Sequence, residues 1–175
     1  MRYILCAAAL ALAVAPAAFA DEHYLPRAVI AGGLKTADCD IPVEQVTELD
    51  PQDLGNGLKL VQVSCWRAAY NFGSILFAAA PDARDKARLL AFQTTDGKSF
   101  KQTYDLNLPE YDPKDKTLRS FFKGRGVGDC GSIGQWKWTG SEFKLTDYWL
   151  KSQCDGELFD VGEEGDKWRV YPPKK

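Results

Sequence analysis

Residues 124–131, Gly-Arg-Gly-Val-Gly-Asp-Cys-Gly, place a thiol, a carboxylate and a guanidinium among closely spaced glycines. Such a set suits three chemistries: a backbone cradle for phosphate, a nucleophilic or metal-bound cysteine, or a loop clasped by a disulfide. The phosphate reading fails on context. Dinucleotide fingerprints need Gly-x-Gly-x-x-Gly between a strand and a helix, and Walker loops end in Gly-Lys-Ser/Thr. Here Gly124, Gly126 and Gly128 are spaced by two, and a strand-like run follows in which Trp136, Trp138, Phe143 and Leu145 share one alternation.

A catalytic cysteine needs a base that generates thiolate, usually histidine. The chain's one histidine, His23, falls at the very start of the expected mature chain and reads as a solvated tail residue. That position also removes Ser-His-Asp catalysis and most zinc sites. Cysteine-rich zinc sites want close ligand pairs, and none of Cys39, Cys65, Cys130 and Cys154 has another cysteine within four residues. No metal or cofactor is expected, and the thiols are assigned to disulfides.

The leader decides the compartment. Residues 1–20 carry Arg2, an apolar stretch from Tyr3 to Val14 and the ending Ala18-Phe19-Ala20, the pattern of a secretory signal peptide. The stretch is too short for a membrane span, which needs about 20 apolar residues, and no later segment is apolar for that length. Cys6 lies near the start of the apolar stretch rather than after it, so it is not a lipidation site and leaves with the peptide. Four of the five cysteines remain, an even number in an exported, periplasmic chain. Of the three pairings, locality favours Cys39 with Cys65 and Cys130 with Cys154. Each closes a loop of about 25 residues and stabilises by about 3 kcal/mol on the chain-entropy account. The glycines allow the loop before Cys130 to double back towards Cys154.

Loss of Arg2 leaves 21 Lys and Arg against 24 Asp and Glu, a net charge near −3 with no dominant basic patch. Nucleic acid and anionic membrane are poor partners on that ground. The 155 residues from 21 to 175 suit one domain.

The elements that must position these residues are strands. Leu58–Trp66, Ser74–Ala80 and Ala87–Thr94 form an economical meander, with β-formers on both faces of the first. After the Asp96-Gly97 turn comes a strand over Lys101–Leu108, then a polar loop over Pro109–Lys116, a strand over Thr117–Lys123, and a short closing strand over Lys167–Tyr171. Residues 21–53 are interrupted by Pro26, Gly32-Gly33, Pro42 and Pro51, leaving room only for a short helix capped by Asp40. A two-residue turn at Thr139-Gly140 predicts a hairpin pairing Trp138 with Ser141, Lys137 with Glu142, Trp136 with Phe143 and Gln135 with Lys144. The fold class is mainly β: an antiparallel sandwich or partly open barrel stapled by two disulfides.

Two further chemistries remain. Carboxylate pairs hydrolyse glycosides without histidine, and acids cluster in Asp155–Lys167 and Tyr111–Lys116, but both segments are turn-rich and read as solvated loops. Trp66, Arg67, Tyr70, Asn71 and Phe72 gather at a strand end, and Trp, Tyr and Arg are the residues that most often anchor interfaces. The competing role for Trp66 and Phe72 is core packing around an Asn71-Phe72-Gly73 turn. Arg125 and Asp129 are either an exposed recognition pair or a salt bridge holding the glycine loop.

Arg-Gly, then Gly-Asp-Cys-Gly at 128–131, Trp-x-Trp-x-Gly at 136–140, Phe-x-Leu at 143–145 and a later Cys154 form a fairly specific pattern. With the upstream Val63–Phe77 segment it resembles the C-terminal part of bacterial exported domain-of-unknown-function family 1176, over about Cys65 to Gly156. The resemblance implies export and a cysteine-bearing β domain, in a single-half version of commonly longer members, and carries no reaction or catalytic residues. Taken together the expectation is a non-catalytic periplasmic binding module for an envelope protein or cell-wall fragment, with an inhibitor or immunity-type role among its forms. Its binding residues would be Trp66, Arg67, Tyr70, Asn71, Arg125 and Asp129. A carboxylate-dependent cell-wall hydrolase and a structural envelope component are the competing classes.

Overall fold

A computed structural model describes residues 23–159, 161 and 163–173, so the signal-peptide reading of residues 1–20 lies outside the described residues. Strand β1 (Gln52–Gly55) turns through Asn56-Gly57, both at positive φ, into β2 (Leu58–Arg67), which pairs antiparallel with β3 (Phe72–Ala79). Such paired positive-φ residues match the right-handed twist of the strands that they join. Strand β4 (Arg88–Leu89) continues the meander beside one end of β3. The expected single strands over 87–94 and 101–108 each divide. Strands β5 (Phe92–Thr95) and β6 (Phe100–Thr103) make a separate hairpin, while β7 (Asp105–Asn107) joins the first sheet at the other end of β3. The break between β6 and β7 is fastened by Thr103 Oγ1, which donates to the Asp105 carboxylate at 2.6 Å.

The second sheet holds β8 (Glu110–Asp112), β9 (Thr117–Lys123), β10 (Gly131–Trp138), β11 (Phe143–Lys151) and β12 (Arg169–Tyr171), in spatial order β12-β11-β10-β9-β8. β8 occupies part of the segment expected to be loop. The sheets pack face to face and do not close into a barrel. Leu60, Leu76 and Ala78 point between them, against Leu118, Trp136 and Leu145. The alternate residues Val61, Val63, Ile75 and Phe77 point the other way. That outer face is covered by helix α1 (Arg27–Thr36), and the outer face of the second sheet by the C-terminal segment through Phe159 and Trp168.

Helix α1 corrects the sequence reading, in which Gly32-Gly33 counted as a break. Ile30, Gly33 and Leu34 form its buried stripe. Gly33 is a contact point: a Cβ there would lie 2.3 Å from the Phe77 ring, so the missing side chain lets the helix seat on the sheet. The short helix expected after Asp40 is a single 3-10 turn, Val43–Gln45, preceded by Pro42 rather than capped by Asp40.

The β10–β11 hairpin also departs from expectation. Its loop has four residues, Thr139–Glu142, because the Thr139 hydroxyl accepts the Glu142 N–H (3.2 Å) and donates to the Glu142 carbonyl (2.9 Å). The observed partners are therefore Trp138 with Phe143, Lys137 with Lys144 and Trp136 with Leu145. The slip is two residues, which preserves side-chain parity, so Trp136, Trp138, Phe143 and Leu145 are all buried on the inner face as expected. A bulge opposite Gln135–Trp136 then turns Tyr148 inward and Trp149 outward.

Both expected disulfides are formed, Cys39–Cys65 tying the segment after α1 to β2 and Cys130–Cys154 joining the start of β10 to the chain beyond β11. Among the described residues no helix is long and apolar enough to cross a membrane.

Candidate functional site

The β2–β3 turn and the glycine loop before β10 lie far apart in sequence and are locked together by one side chain. Asn71, buried, donates from Nδ2 to the Lys123 carbonyl (2.9 Å), and its Oδ1 accepts from the Lys123 N–H (3.1 Å) and from Asn107 Nδ2 (2.7 Å). The Ala68 N–H donates to the Asn71 carbonyl at 2.9 Å and closes the turn. Next to it, the Tyr70 hydroxyl donates to the Gly124 carbonyl (3.3 Å), and the ring lies over Gly126. Tyr70 and Asn71 thus meet the loop that carries Arg125 and Asp129.

Within that loop, Arg125 Nε donates to Asp129 Oδ1 at 2.7 Å and Arg125 Nη2 to Oδ2. Asp129 Oδ2 also accepts the Gly156 N–H at 2.6 Å. The Arg125 bonds first, and then the Gly156 amide, hold the Asp129 carboxyl far below the usual carboxylate range. Asp129 is buried while the Arg125 side chain is half exposed. Of the two roles read from the sequence, this geometry is that of a salt bridge organising the glycine loop beside the Cys130–Cys154 disulfide.

Trp66 and Arg67 part company with this cluster in different ways. The Trp66 indole lies on its cross-strand partner Gly73, where a Cβ would come within 2.0 Å, and donates to Asp105 Oδ2 at 2.8 Å. It faces a cleft between the sheets. Arg67 stays at the surface with its guanidinium 5.1 Å from the centre of the Phe72 ring. Phe72, Tyr70 and, on the glycine loop, Val127 are exposed, Val127 at 71%.

Other candidates are placed as follows. Asp129, Cys130 and Cys154 offer ligand atoms within 4.8 Å of one another, but the two sulfurs are bonded to each other, so the trio supplies one carboxylate and no thiolate. The acid clusters hold turns: Asp112 accepts the Lys114 N–H (2.8 Å), Asp115 the Thr117 N–H (3.1 Å), and Asp155 the Glu157 N–H (3.0 Å). His23 is not a solvated tail residue; its side chain is 16% exposed and sits 3.8 Å from Glu48, whose carboxylate accepts the Tyr24 N–H. Sequence reasoning missed Lys151, a buried cation whose Nζ donates to Asp155 (2.6 Å) and to the Glu157 carbonyl (2.7 Å) with the Trp168 ring 4.9 Å away. The Lys151–Asp155 bond, joined by the Glu157 amide, lowers the Asp155 carboxyl.

Fold and site together define a mainly β protein of two packed sheets and a separate hairpin, cross-linked by two disulfides. The chain belongs to the family described as "Protein of unknown function (DUF1176)", which it matches over residues 13–170. The match extends well beyond the Cys65–Gly156 stretch that carries the resemblance in sequence. The chain is also similar to the "Uncharacterized protein YpfG" of Escherichia coli (strain K12), 31% identical over 114 residues, covering 62% of this chain. The matched segment is 31% of that protein's length. No solved structure matches significantly.

Proposed function

We propose that this protein is an exported, non-catalytic binding module of the periplasm that recognises an envelope protein through the surface made by the β2–β3 turn and the glycine loop. One observation carries the reading: Asn71 fastens the two loops to each other through Lys123 and to β7 through Asn107, so exposed Arg67, Tyr70, Phe72, Arg125 and Val127 share a rigid base. Aromatic and Arg side chains supply most binding energy at interfaces, and a surface ordered in advance loses less entropy on docking. The two disulfides support an oxidising compartment. A non-catalytic role is favoured over carboxylate hydrolysis because Asp112, Asp115 and Asp155 are engaged in holding backbone amides.

The test is a photo-crosslinking residue at position 127, in cells that export the protein. A discrete crosslinked protein, lost when Tyr70 and Phe72 are both changed to Ala, is the expected result. Retention on isolated peptidoglycan with no crosslinked protein would transfer the site to a cell-wall fragment. Neither crosslink nor retention would end the proposal.

A further inference from the structure

A second feature of the molecule adjoins the base of the loop surface through Asn107, which donates to Asn71. Between the two sheets, beneath Trp66, lies a cleft of about 310 Å³, at the small end of the roughly 300–1,000 Å³ range of ligand pockets. We propose that this cleft binds a neutral, polyhydroxylated small molecule the size of one sugar unit.

The first argument is an unmet hydrogen bond. Asn107 borders the cleft, is 94% buried by its 6% exposure, and commits Nδ2 to Asn71 Oδ1 and to the Phe121 carbonyl. Its Oδ1 is a buried acceptor with no hydrogen-bond partner among the described residues. Buried polar atoms are nearly always paired, so this enclosed acceptor leaves the polar wall of the cleft one hydrogen bond short.

The second argument is the chemistry of the walls. Thr94, Thr103, Ser120, Ser132 and Tyr148 bring hydroxyl groups to the lining from five different strands. A hydroxyl both donates and accepts, so Thr103 and Ser120, which donate to Asp105 and to the Asn107 carbonyl, keep acceptor capacity for a ligand whose own groups donate. Exposed Phe122 adds a ring face, against which the C–H face of a sugar can stack, and half-buried Trp66 borders the lining from its seat on Gly73.

The third argument is charge. Among the described residues Asp105 is the one carboxylate on the lining, and it already accepts the Trp66 indole N–H at 2.8 Å and the Thr103 hydroxyl at 2.6 Å. Among the described residues the lining has no Lys, Arg or His. An anion would find no counter-charge, and a cation would find a carboxylate whose oxygens are both engaged.

The inference is read on the purified, disulfide-bonded protein labelled with 15N. The Trp66 indole N–H and the Asn107 side-chain amide are followed while glucose, N-acetylglucosamine, glucosamine or glucuronate is added. Saturable shifts of both signals with a neutral sugar, at least tenfold tighter than with either charged one, are expected. Phe122→Ala, at a side chain 48% exposed, is expected to weaken the neutral sugar about tenfold. Asp105→Asn, which retains an acceptor for the indole, is expected to change it less than about threefold. Shifts with no probe would mean that the cleft holds water only and would overturn the inference. Preference for glucosamine that Asp105→Asn abolishes would overturn it in favour of a cation site. Either outcome leaves the loop surface untouched, because Val127, where the crosslink is read, is not among the residues lining the cleft.

Discussion

Asn71→Ala is the substitution on which the site geometry depends most. Asn71 is 5% exposed, and its side chain makes three hydrogen bonds to groups 36 and 52 residues away. Truncation leaves the Lys123 N–H, the Lys123 carbonyl and the Asn107 amide without those partners. At about 1 kcal/mol for each lost bond, the expected loss is about 3 kcal/mol. For a domain of this size that corresponds to a fall in Tm of roughly 6–12 °C. Urea unfolding followed by tryptophan fluorescence is the assay, with Tyr70→Ala as the control. The exposed Tyr70 contributes one 3.3 Å bond, so its removal is expected to cost under about 1 kcal/mol. Amide exchange in residues 123–130 should accelerate in Asn71→Ala far more than in Tyr70→Ala. Equal, small losses in the two variants would refute the claim that Asn71 is the fastening between the loops.

Three further outcomes are expected. Replacing Cys130 and Cys154 together by Ala opens a loop with sequence separation 24 and should cost about 3–3.5 kcal/mol by chemical denaturation on the chain-entropy account. Arg125 and Gly156 lower the Asp129 carboxyl, and Lys151 and Glu157 the Asp155 carboxyl. The stability they contribute is therefore complete above the unfolded value of about 3.9 and is lost as pH falls through the lower folded values. Asp129→Asn should accordingly flatten the acid limb of a stability-against-pH curve and leave its slope between pH 6 and 8 unchanged. The neighbouring glycines of α1 should respond with opposite sign. Gly32→Ala meets nothing within 4 Å and should stabilise by about 0.5–1 kcal/mol, whereas Gly33→Ala drives into the buried Phe77 and should cost about 1–3 kcal/mol by calorimetry.

Much of this protein is written in short-range pattern. Strand β9 runs over Thr117–Lys123 as the alternation predicts, and β2 exceeds its expected range by one residue. Alternation belongs to the chain itself: successive side chains on a strand must point to opposite faces, whichever sheet receives them. The disulfide pairing was readable for a related reason, since each bridge joins cysteines 26 or 24 residues apart and locality favours them. The hairpin shows where such reading stops. Parity survived because it is local, but the register followed the Thr139–Glu142 hydrogen bonds and the contact of Phe92 with both Trp136 and Phe143, centroids 5.8 and 5.9 Å away.

Other features had no local trace at all. Gly33 reads as a helix breaker until Phe77, far along the chain, requires the space. Asn71 reads as a turn former until Lys123 and Asn107 enclose it, and His23 as a tail until Glu48 comes to lie beside it. The class of fold, the presence of two disulfides and the family are legible along the chain, because alternation, cysteine number and motif order are carried by neighbouring residues. Which polar side chains are enclosed and which surfaces they assemble emerges with the packed fold alone, because burial is a property of the segments that arrive from elsewhere.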